Sequence, residues 1–587
     1  MNFRKIREYL IEEDLINEYI DIQNFLQNPT SVLKQGTVDQ LVKINEKEFE
    51  DKIRSWVKSN PKEYRNKVLY GQVIIWQEVL NCFIELTRVE ELLNNTQVVY
   101  FENDYLKSTE QVKKILNLYA DAKVAITRLE THLGVDRYLD EVAGDDFELL
   151  IKRFDKIHHL SEEMLQEYKV LYTKVWNTTN VYEVAKHKLV RRNMSNQVCS
   201  LVQAKKKNLI LFVIDGFGLG QYFWSKKVVP QNSNFAYSNN IFNWLNEEGL
   251  SNEYALGAPL VTDTAAGISQ IFIGKTAKDT RVISSTLKKD GVARVVPVKN
   301  IDQSEFIKIV NTSYNGISAD VLSENKQMKI YYCSKYDENN ISGFSKFVFG
   351  AAEVQSIIPA ERVFSFLKED IKKQEDTMTV VYITSIDNSG HVMGSFSQFE
   401  RYEHEKINTL FKNFLIEAAK NSPGIFDGNT SIMLTADHGM TESYRINISK
   451  FDLLDMLKIH NIRPWIIEGN RAEFLYNVND CDIDSCKNLL QQYFDEKNID
   501  VLILAKSDDL YDTFMPRPEW SYIDTVPSII VLLISEGIFY SKDVGENLMH
   551  FGGHGGHSVD EVFVPLINIE MNERLKNAIT ERFLNLT

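Results

Sequence analysis

The residues best suited to chemistry in this chain are aspartates and histidines that follow short apolar runs. Residues 431–439 read Ser-Ile-Met-Leu-Thr-Ala-Asp-His-Gly, so Ile432, Met433 and Leu434 run out into Asp437, His438 and Gly439. Such a run predicts a buried strand that delivers polar groups at its C-terminal end, where open α/β sheets bind their ligands. A carboxylate beside an imidazole, followed by a glycine that lets the backbone turn, suits a metal ion. Alone, the dipeptide is better explained as a strand-end aspartate capping the next helix beside a surface histidine. Recurrence of the same design changes that reading.

Leu209–Ile214 leads into Asp215-Gly216-Phe217-Gly218, and the β-rich run Thr377–Ile386 leads into Asp387-Asn388-Ser389-Gly390-His391. Aspartate and histidine four residues apart converge on one ion if the chain turns as a helix or tight loop. Gly552–Pro565 reads GGHGGHSVDEVFVP; His550, His554 and His557 fall within eight residues among four glycines, just before a strand expected over Val562–Ile569. Packing does not readily explain such a turn. Between Gly257 and Gly274, Thr262, Asp263 and Thr264 precede Ala-Ala-Gly and an apolar helical stretch. A hydroxyl there is an N-cap by default. It is a nucleophile where the helix N-terminus favours an alkoxide and a bound phosphate, and nearby metal ions tip the balance that way. No thiolate joins the set, so an Asp/His cluster with a hydroxyl favours zinc or manganese, singly or as a pair. Two ions about 4 Å apart can clamp the attacking and leaving oxygens of a phosphoryl group.

The elements that must position these residues belong to a long chain. Its 587 residues predict two or three domains, and 44% hydrophobic with 25% charged content is ordinary for a globular protein. A net charge of −16 argues against a broadly basic nucleic-acid-binding surface but not against a nucleic-acid substrate held locally by metal ions. The five cysteines, Cys82, Cys199, Cys333, Cys481 and Cys486, are sparse and form no C-x-x-C pair, which suits a reducing cytoplasm. The N-terminus has no apolar signal core, and no stretch is long enough to span a bilayer. The most apolar run, Ser528–Ser535, is the size of a strand or core helix.

Residues 1–200 form a helical region, a partner-binding module or an arm. Within it Ser161 predicts a helix start after a break at His158–Leu160, Tyr168, Tyr172 and Trp176 form a core stripe, and His132, His158, His159 and His187 are packing or surface residues. Residues 201–450 form an α/β core, with a basic, loop-rich insertion or cap near 280–360 that includes the weak strand Lys329–Cys333. A helix over Phe399–Lys420 leads back to the Asp437 strand. Residues 451–545 form an inserted α+β subdomain, with a strand over Arg471–Val478 and a helix over Cys486–Phe494. Residues 546–587 return to the core with the last metal motif and a C-terminal helix.

The motif order is Asp215-Gly, Thr264, Asp387-x-x-x-His391, Asp437-His438-Gly, then His554-Gly-Gly-x-Ser558-x-x-Glu561-x-x-Val564-Pro565. Over roughly 205–570 this resembles the alkaline phosphatase superfamily, and the closing string most resembles its PglZ domain branch. The resemblance implies a sandwich whose central mixed, mostly parallel sheet is flanked by helices. It implies one zinc on Asp215, Thr264, Asp437 and His438, and a second on Asp387, His391 and His554, with manganese as the alternative. It further implies attack by Thr264 through a transient phosphothreonine. His557 replaces a usually apolar position, and Asp263 resembles part of the Asp-Ser-Ala-Ala run of alkaline phosphatases. Sulfatases share the fold, but none of the cysteines lies in their C-x-P-x-R context. By resemblance the expected activity is a phosphodiesterase acting on nucleotides or nucleic acid in antiphage (BREX-type) defence. Other defence proteins would dock on the N-terminal helices, and no membrane is involved. The alternatives are a phosphomonoesterase, with Arg281 as its extra cation, a phosphomutase, or a zinc-binding scaffold.

Overall fold

The apolar runs are rich in β-branched and aromatic residues and carry no internal polar period, which favours strands covered on both faces. A computed structural model describes residues 82, 85–97, 105–133, 144–175, 181, 208–227, 240–288, 295–297, 327–333, 343–350, 352–356, 361–372, 377–443, 447–468, 470–515, 526–540 and 551–584. The strands of its main sheet are β1 (Asn208–Ile214), β2 (Ser251–Gly257), β3 (Gln327–Cys333), β4 (Glu353–Ser356), β5 (Thr377–Ile383), β6 (Thr430–Thr435) and β7 (Phe563–Met571). Their spatial order is β2-β7-β6-β1-β5-β3-β4. β1 runs parallel to both neighbours, β5 and β6. β3 joins β5 and β4 in parallel, and β7 is antiparallel to β6 and β2. The sheet is thus mixed and mostly parallel, as expected.

This order explains why distant motifs meet. Ile214 lies opposite Ile383, and Val213 lies opposite Thr435, so the C-terminal ends of β6, β1 and β5 are adjacent. The helices that matter most are α1 (Leu219–Lys227), α2 (Thr264–Ile273), α3 (Ser385–Met393), α4 (Gln398–Asn421) and the single turn α5 (Val559–Val562). A second, wholly antiparallel sheet has the order Trp465–Glu468, Ala472–Tyr476, Ile529–Leu533, Val501–Ala505. The helix Ile483–Glu496 buries Ile483, Cys486, Leu490 and Phe494 at helical spacing, and the sheet residues Leu475, Ile503 and Val531 belong to the same apolar cluster.

Three expectations need correction. Residues 280–360 are not simply a cap, because β3 and β4 are strands of the main sheet, with Ile330 paired to Val380. The run Thr377–Ile386 ceases to be a strand at Ile383, since Ser385 already begins α3. There is no helix break at His158–Leu160: one helix spans Gly144–Val175, and Ser161 satisfies its hydroxyl on the Ile157 carbonyl at 2.8 Å.

The chain divides into two compact units, Met1–Val98 with Asn117–Met164, and Val99–Leu116 with Leu165–Thr587. In the first, Glu90 pairs with Arg153 at 3.0 Å, and the buried His158 ring packs on Tyr119 at 5.1 Å. His159 is exposed and lies 3.4 Å from Glu163. His132, His187 and the stripe of Tyr168, Tyr172 and Trp176 lie outside the described side chains.

In the second unit α4 begins with Ser397-x-x-Glu400. Ser397 caps the Glu400 N–H, but the Glu400 carboxylate bonds the Phe396 N–H and Gln221 Nε2, the latter at 2.7 Å. Glu400 is fully buried. Burial lifts its pKa to about 8, helped by Asp560 and Glu442 and opposed by the two hydrogen bonds. That lies above the ~4.3 of an unfolded glutamate. The associated stability is therefore fully present below ~4.3 and is lost as pH rises towards about 8. We expect Glu400→Gln to lower Tm at pH 5, through one mismatched hydrogen bond, but to flatten its decline between pH 5 and 8.5. Parallel Tm profiles for the two proteins would contradict this.

Candidate active site

At the end of β1 the chain turns through Gly216, whose φ of +74° favours glycine. Asp215 Oδ2 accepts the Tyr382 hydroxyl of β5 at 2.6 Å. On α3, Asp387 and His391 stand one turn apart, with His391 Nε2 3.4 Å from Asp387 Oδ1. The Asp387 N–H donates to the Asp215 carbonyl at 3.2 Å, which ties the start of α3 to the end of β1. His438 Nε2 is 3.5 Å from Asp215 Oδ1 and 3.7 Å from Asp437 Oδ2. His554 Nε2 is 3.5 Å from Asp387 Oδ1, and its ring stacks on that of His438 at 3.9 Å.

All three imidazoles are oriented alike. Nδ1 of His391, His438 and His554 lies 3.0, 2.9 and 2.9 Å from the carbonyls of Gly552, Gly439 and Thr262. A carbonyl only accepts, so each Nδ1 carries the proton and each Nε2 is left to face the carboxylates. Metal-binding histidines are held in this way.

Thr264 is the first residue of α2, and its Oγ1 lies 3.0 Å from His438 Nε2. The cap itself is Asp263, which accepts the Ala265 N–H at 2.9 Å and the Ser285 hydroxyl at 2.7 Å. Asp263, for which the sequence suggested no definite role, thus takes the capping task. α2 approaches this closely because Gly267 abuts Asp437; a Cβ at 267 would meet Asp437 Cβ at 2.6 Å and its carbonyl oxygen at 2.7 Å. Gly267→Ala is expected to push α2 off the strand end and lower kcat on the order of 100-fold. Steady-state kinetics on a folded variant would check this, and unchanged kcat would refute it.

The buried carboxylates crowd one another. Burial and the neighbouring Asp437 and Asp387 raise Asp215 well above the usual carboxylate range. Burial, then Asp387, lifts Asp437 to about 7. Burial would also raise Asp387, but the imidazoles of His391, His554 and His438 around it hold it below the usual range. Burial, then His438, depresses His554 to about 4. Asp215 Oδ1 and Asp387 Oδ1 are buried and accept no hydrogen bond. Buried carboxylate oxygens without hydrogen bonds, facing the Nε2 atoms of three imidazoles, are the donor chemistry that divalent cations satisfy.

Among the described residues two groups have donor atoms within 4.8 Å of one another, Asp387-His391-His554 and Asp215-Asp387-His438. Asp387 is common to both, a sharing that the motif order did not reveal. The side chains of Asp437 and His438 are fully buried, whereas Asp387, His391 and His554 keep 13–19% of theirs exposed, so solvent reaches the cluster from that side. His557 is not among the donors; it is buried, with Nδ1 3.2 Å from the Leu260 carbonyl. Arg281 ends the short helix Ala277–Thr280 in a left-handed conformation, and His550 lies outside the described residues. Sequence reasoning missed Tyr382, which is indistinguishable by type from other aromatic strand residues, and Arg471, described below.

Residues 209–556 match the family model for type I phosphodiesterase / nucleotide pyrophosphatase, more than half the chain, and the match contains all seven candidate donors. The chain belongs to this family. It is therefore a phosphoester hydrolase of the alkaline phosphatase superfamily. Similar solved structures include murine ectonucleotide pyrophosphatase / phosphodiesterase 5, at 12% identity over 61% of this chain and 87% of that one, with a TM-score of 0.43. The human protein of that name gives 11%, 65% and 95%, with a TM-score of 0.43. Phosphonoacetate hydrolase from Sinorhizobium meliloti 1021, in complex with phosphonoformate, gives 13%, 63% and 94%, with a TM-score of 0.44. No curated protein matches. Among the described residues no helix is long and apolar enough to cross a membrane.

Proposed function

We propose that the chain is a two-zinc phosphodiesterase acting on nucleotides or nucleic acid, with Thr264 as nucleophile. The observation that carries this reading is the Thr264 hydroxyl 3.0 Å from His438 Nε2, at the edge of a buried carboxylate–imidazole cluster. Asp215, Thr264, Asp437 and His438 would hold one zinc ion and Asp387, His391 and His554 the other, with manganese as the alternative. Bound there, the ions supply charge that lowers the hydroxyl pKa and neutralises nonbridging phosphoryl oxygens. The remaining tasks fall to the chain. Asp263 keeps α2 capped so that the Thr264 oxygen is spared for attack on phosphorus, which forms a phosphothreonine as the first alcohol leaves. The burial of Asp437 and His438 excludes water from that flank. Water entering from the more open flank of Asp387 and His391 then cleaves the bond to Thr264 and releases the phosphomonoester, which still carries the second alcohol.

The closing string His554-Gly-Gly-x-Ser558-x-x-Glu561 supports a place in the PglZ-like branch, and with it a role in antiphage defence. In this reading residues 1–200 dock other defence proteins and residues 451–545 are an insertion into the core. The free thiols of Cys333, Cys481 and Cys486 fit a reducing cytoplasm.

The test is hydrolysis by zinc-loaded protein of p-nitrophenyl phosphate against bis-p-nitrophenyl phosphate and the p-nitrophenyl ester of thymidine monophosphate. Faster turnover of the diesters is expected. Preference for the monoester would make the protein a phosphomonoesterase, and turnover of neither with zinc bound would favour the scaffold.

A further inference from the structure

Arg471 immediately precedes the strand Ala472–Tyr476 of the second sheet, yet its side chain is fully buried, as is that of Glu561. Its Nε and Nη2 donate to Glu561 Oε1 and Oε2, each at 3.0 Å, in a two-pronged pair. The other N–H groups hold the turn after the strand Ile529–Leu533. Nη2 donates to Leu533 O at 3.3 Å and Ser535 O at 3.2 Å, and Nη1 donates to Ser535 O at 3.2 Å and to Gly537 O.

Glu561 is the hub on the other side. Its Oε1 accepts the Gly556 N–H at 2.8 Å and lies 3.2 Å from Thr262 Oγ1; its Oε2 accepts the Ser558 N–H at 3.0 Å and the Ser558 hydroxyl at 2.6 Å. Thr262 Oγ1 in turn accepts the Gly555 N–H at 2.9 Å, and the Thr262 carbonyl accepts Nδ1–H of His554, also at 2.9 Å. One carboxylate thus fixes both the glycine loop that carries His554 and the residue whose carbonyl orients the His554 ring. There is no slack at Gly556, where a Cβ would meet Leu533 O at 2.5 Å.

We propose that Arg471 is a positioning residue for His554: held by the turn at Leu533–Gly537, it locks Glu561 and thereby aims His554 Nε2 at Asp387. The proposal rests on the two-ion reading of the site. It makes the second sheet a determinant chiefly of the His554 metal position: Glu561's carboxylate holds the His554 loop, whereas Glu561 reaches the His438 side only through its backbone carbonyl, which accepts the Gly439 N–H at 2.9 Å.

The test is equilibrium dialysis with zinc alone on the full chain, comparing wild type, Arg471→Lys, Thr262→Val and His554→Ala, with near-ultraviolet circular dichroism to establish folding. Arg471→Lys keeps the charge but loses the two-pronged geometry. Thr262→Val keeps the shape but removes the hydroxyl link to Glu561 and Gly555. Both are expected to weaken one zinc equivalent about 10–100-fold, as losses behind a metal ligand do, while the other keeps wild-type affinity, reproducing the pattern of His554→Ala. A purely structural Arg471 would lower Tm without this selective loss. Wild-type affinity for both equivalents, or equal weakening of both, in a folded variant overturns the proposal. If Arg471→Lys fails to fold, Thr262→Val decides. Wild-type protein that does not bind two zinc ions would overturn the two-ion reading instead.

Discussion

Thr264→Ala is expected to reduce diester turnover by about six orders of magnitude, the scale seen when a nucleophile is removed, while the fold persists and Asp215, Asp437 and His438 keep the zinc. The separation is possible because Thr264 does not cap its helix. Asp263 does, through the Ala265 N–H at 2.9 Å, so alanine at 264 leaves the helix start intact and is itself a better helix former. Alanine takes away only the hydroxyl that stands 3.0 Å from His438 Nε2. Turnover of a nitrophenyl diester, Tm and zinc stoichiometry measured on one preparation would check this. Activity within tenfold of wild type would exclude Thr264 as nucleophile. Loss of zinc together with activity would leave Thr264 a ligand with no separate role as nucleophile.

Asp387→Asn should be as damaging by a different route. Asp387 Oδ1 lies 3.4 Å from His391 Nε2 and 3.5 Å from His554 Nε2, and the carboxylate belongs to both donor groups. Asparagine preserves volume and backbone but removes the charge and one acceptor oxygen. We expect zinc affinity to fall more than the 10–100-fold typical of residues behind the ligands, and turnover to fall with it. A metal ion at about 100 times its Kd contributes roughly 2.7 kcal/mol to folding. Stripping wild-type protein with a chelator should therefore lower Tm by several degrees, and the variant should show little such shift. A full chelator-induced shift in Asp387→Asn would place the metal elsewhere.

The local chemistry was legible in the sequence because each motif is self-contained. β1 and β6 end where their apolar runs end, and the Asp387–His391 spacing reads directly as one helical turn. What could not be read depends on partners far along the chain. Lys329–Cys333 read as a weak strand, but the basic, loop-like surroundings hid its place in the main sheet, which follows only from its pairing with β5 and β4. Arg471 and Glu561 look like surface charges by type; their burial is intelligible only when the fold brings together two positions 90 apart. The sharing of Asp387 follows from sheet order, since β5 lies beside β1 although their first residues, Thr377 and Asn208, are 169 positions apart.

The position of β7 bears on the order in which the protein can be made. Among the described residues it is the last strand in sequence, yet it sits inside the sheet between β2 and β6. As the chain is synthesised, β2 has no neighbour in the sheet until β7 arrives, and β6 remains an open edge that other chains can join. His554 also precedes β7 by fewer than ten residues, so the donor cluster and the sheet become complete almost together. Pairing over such a separation is slow. The nascent protein thus passes through a stage with two exposed edges and an incomplete metal cage, and chaperone protection would matter most there. Cutting the chain after residue 562 would not trim a tail. It would remove an interior strand and restore that vulnerable stage permanently.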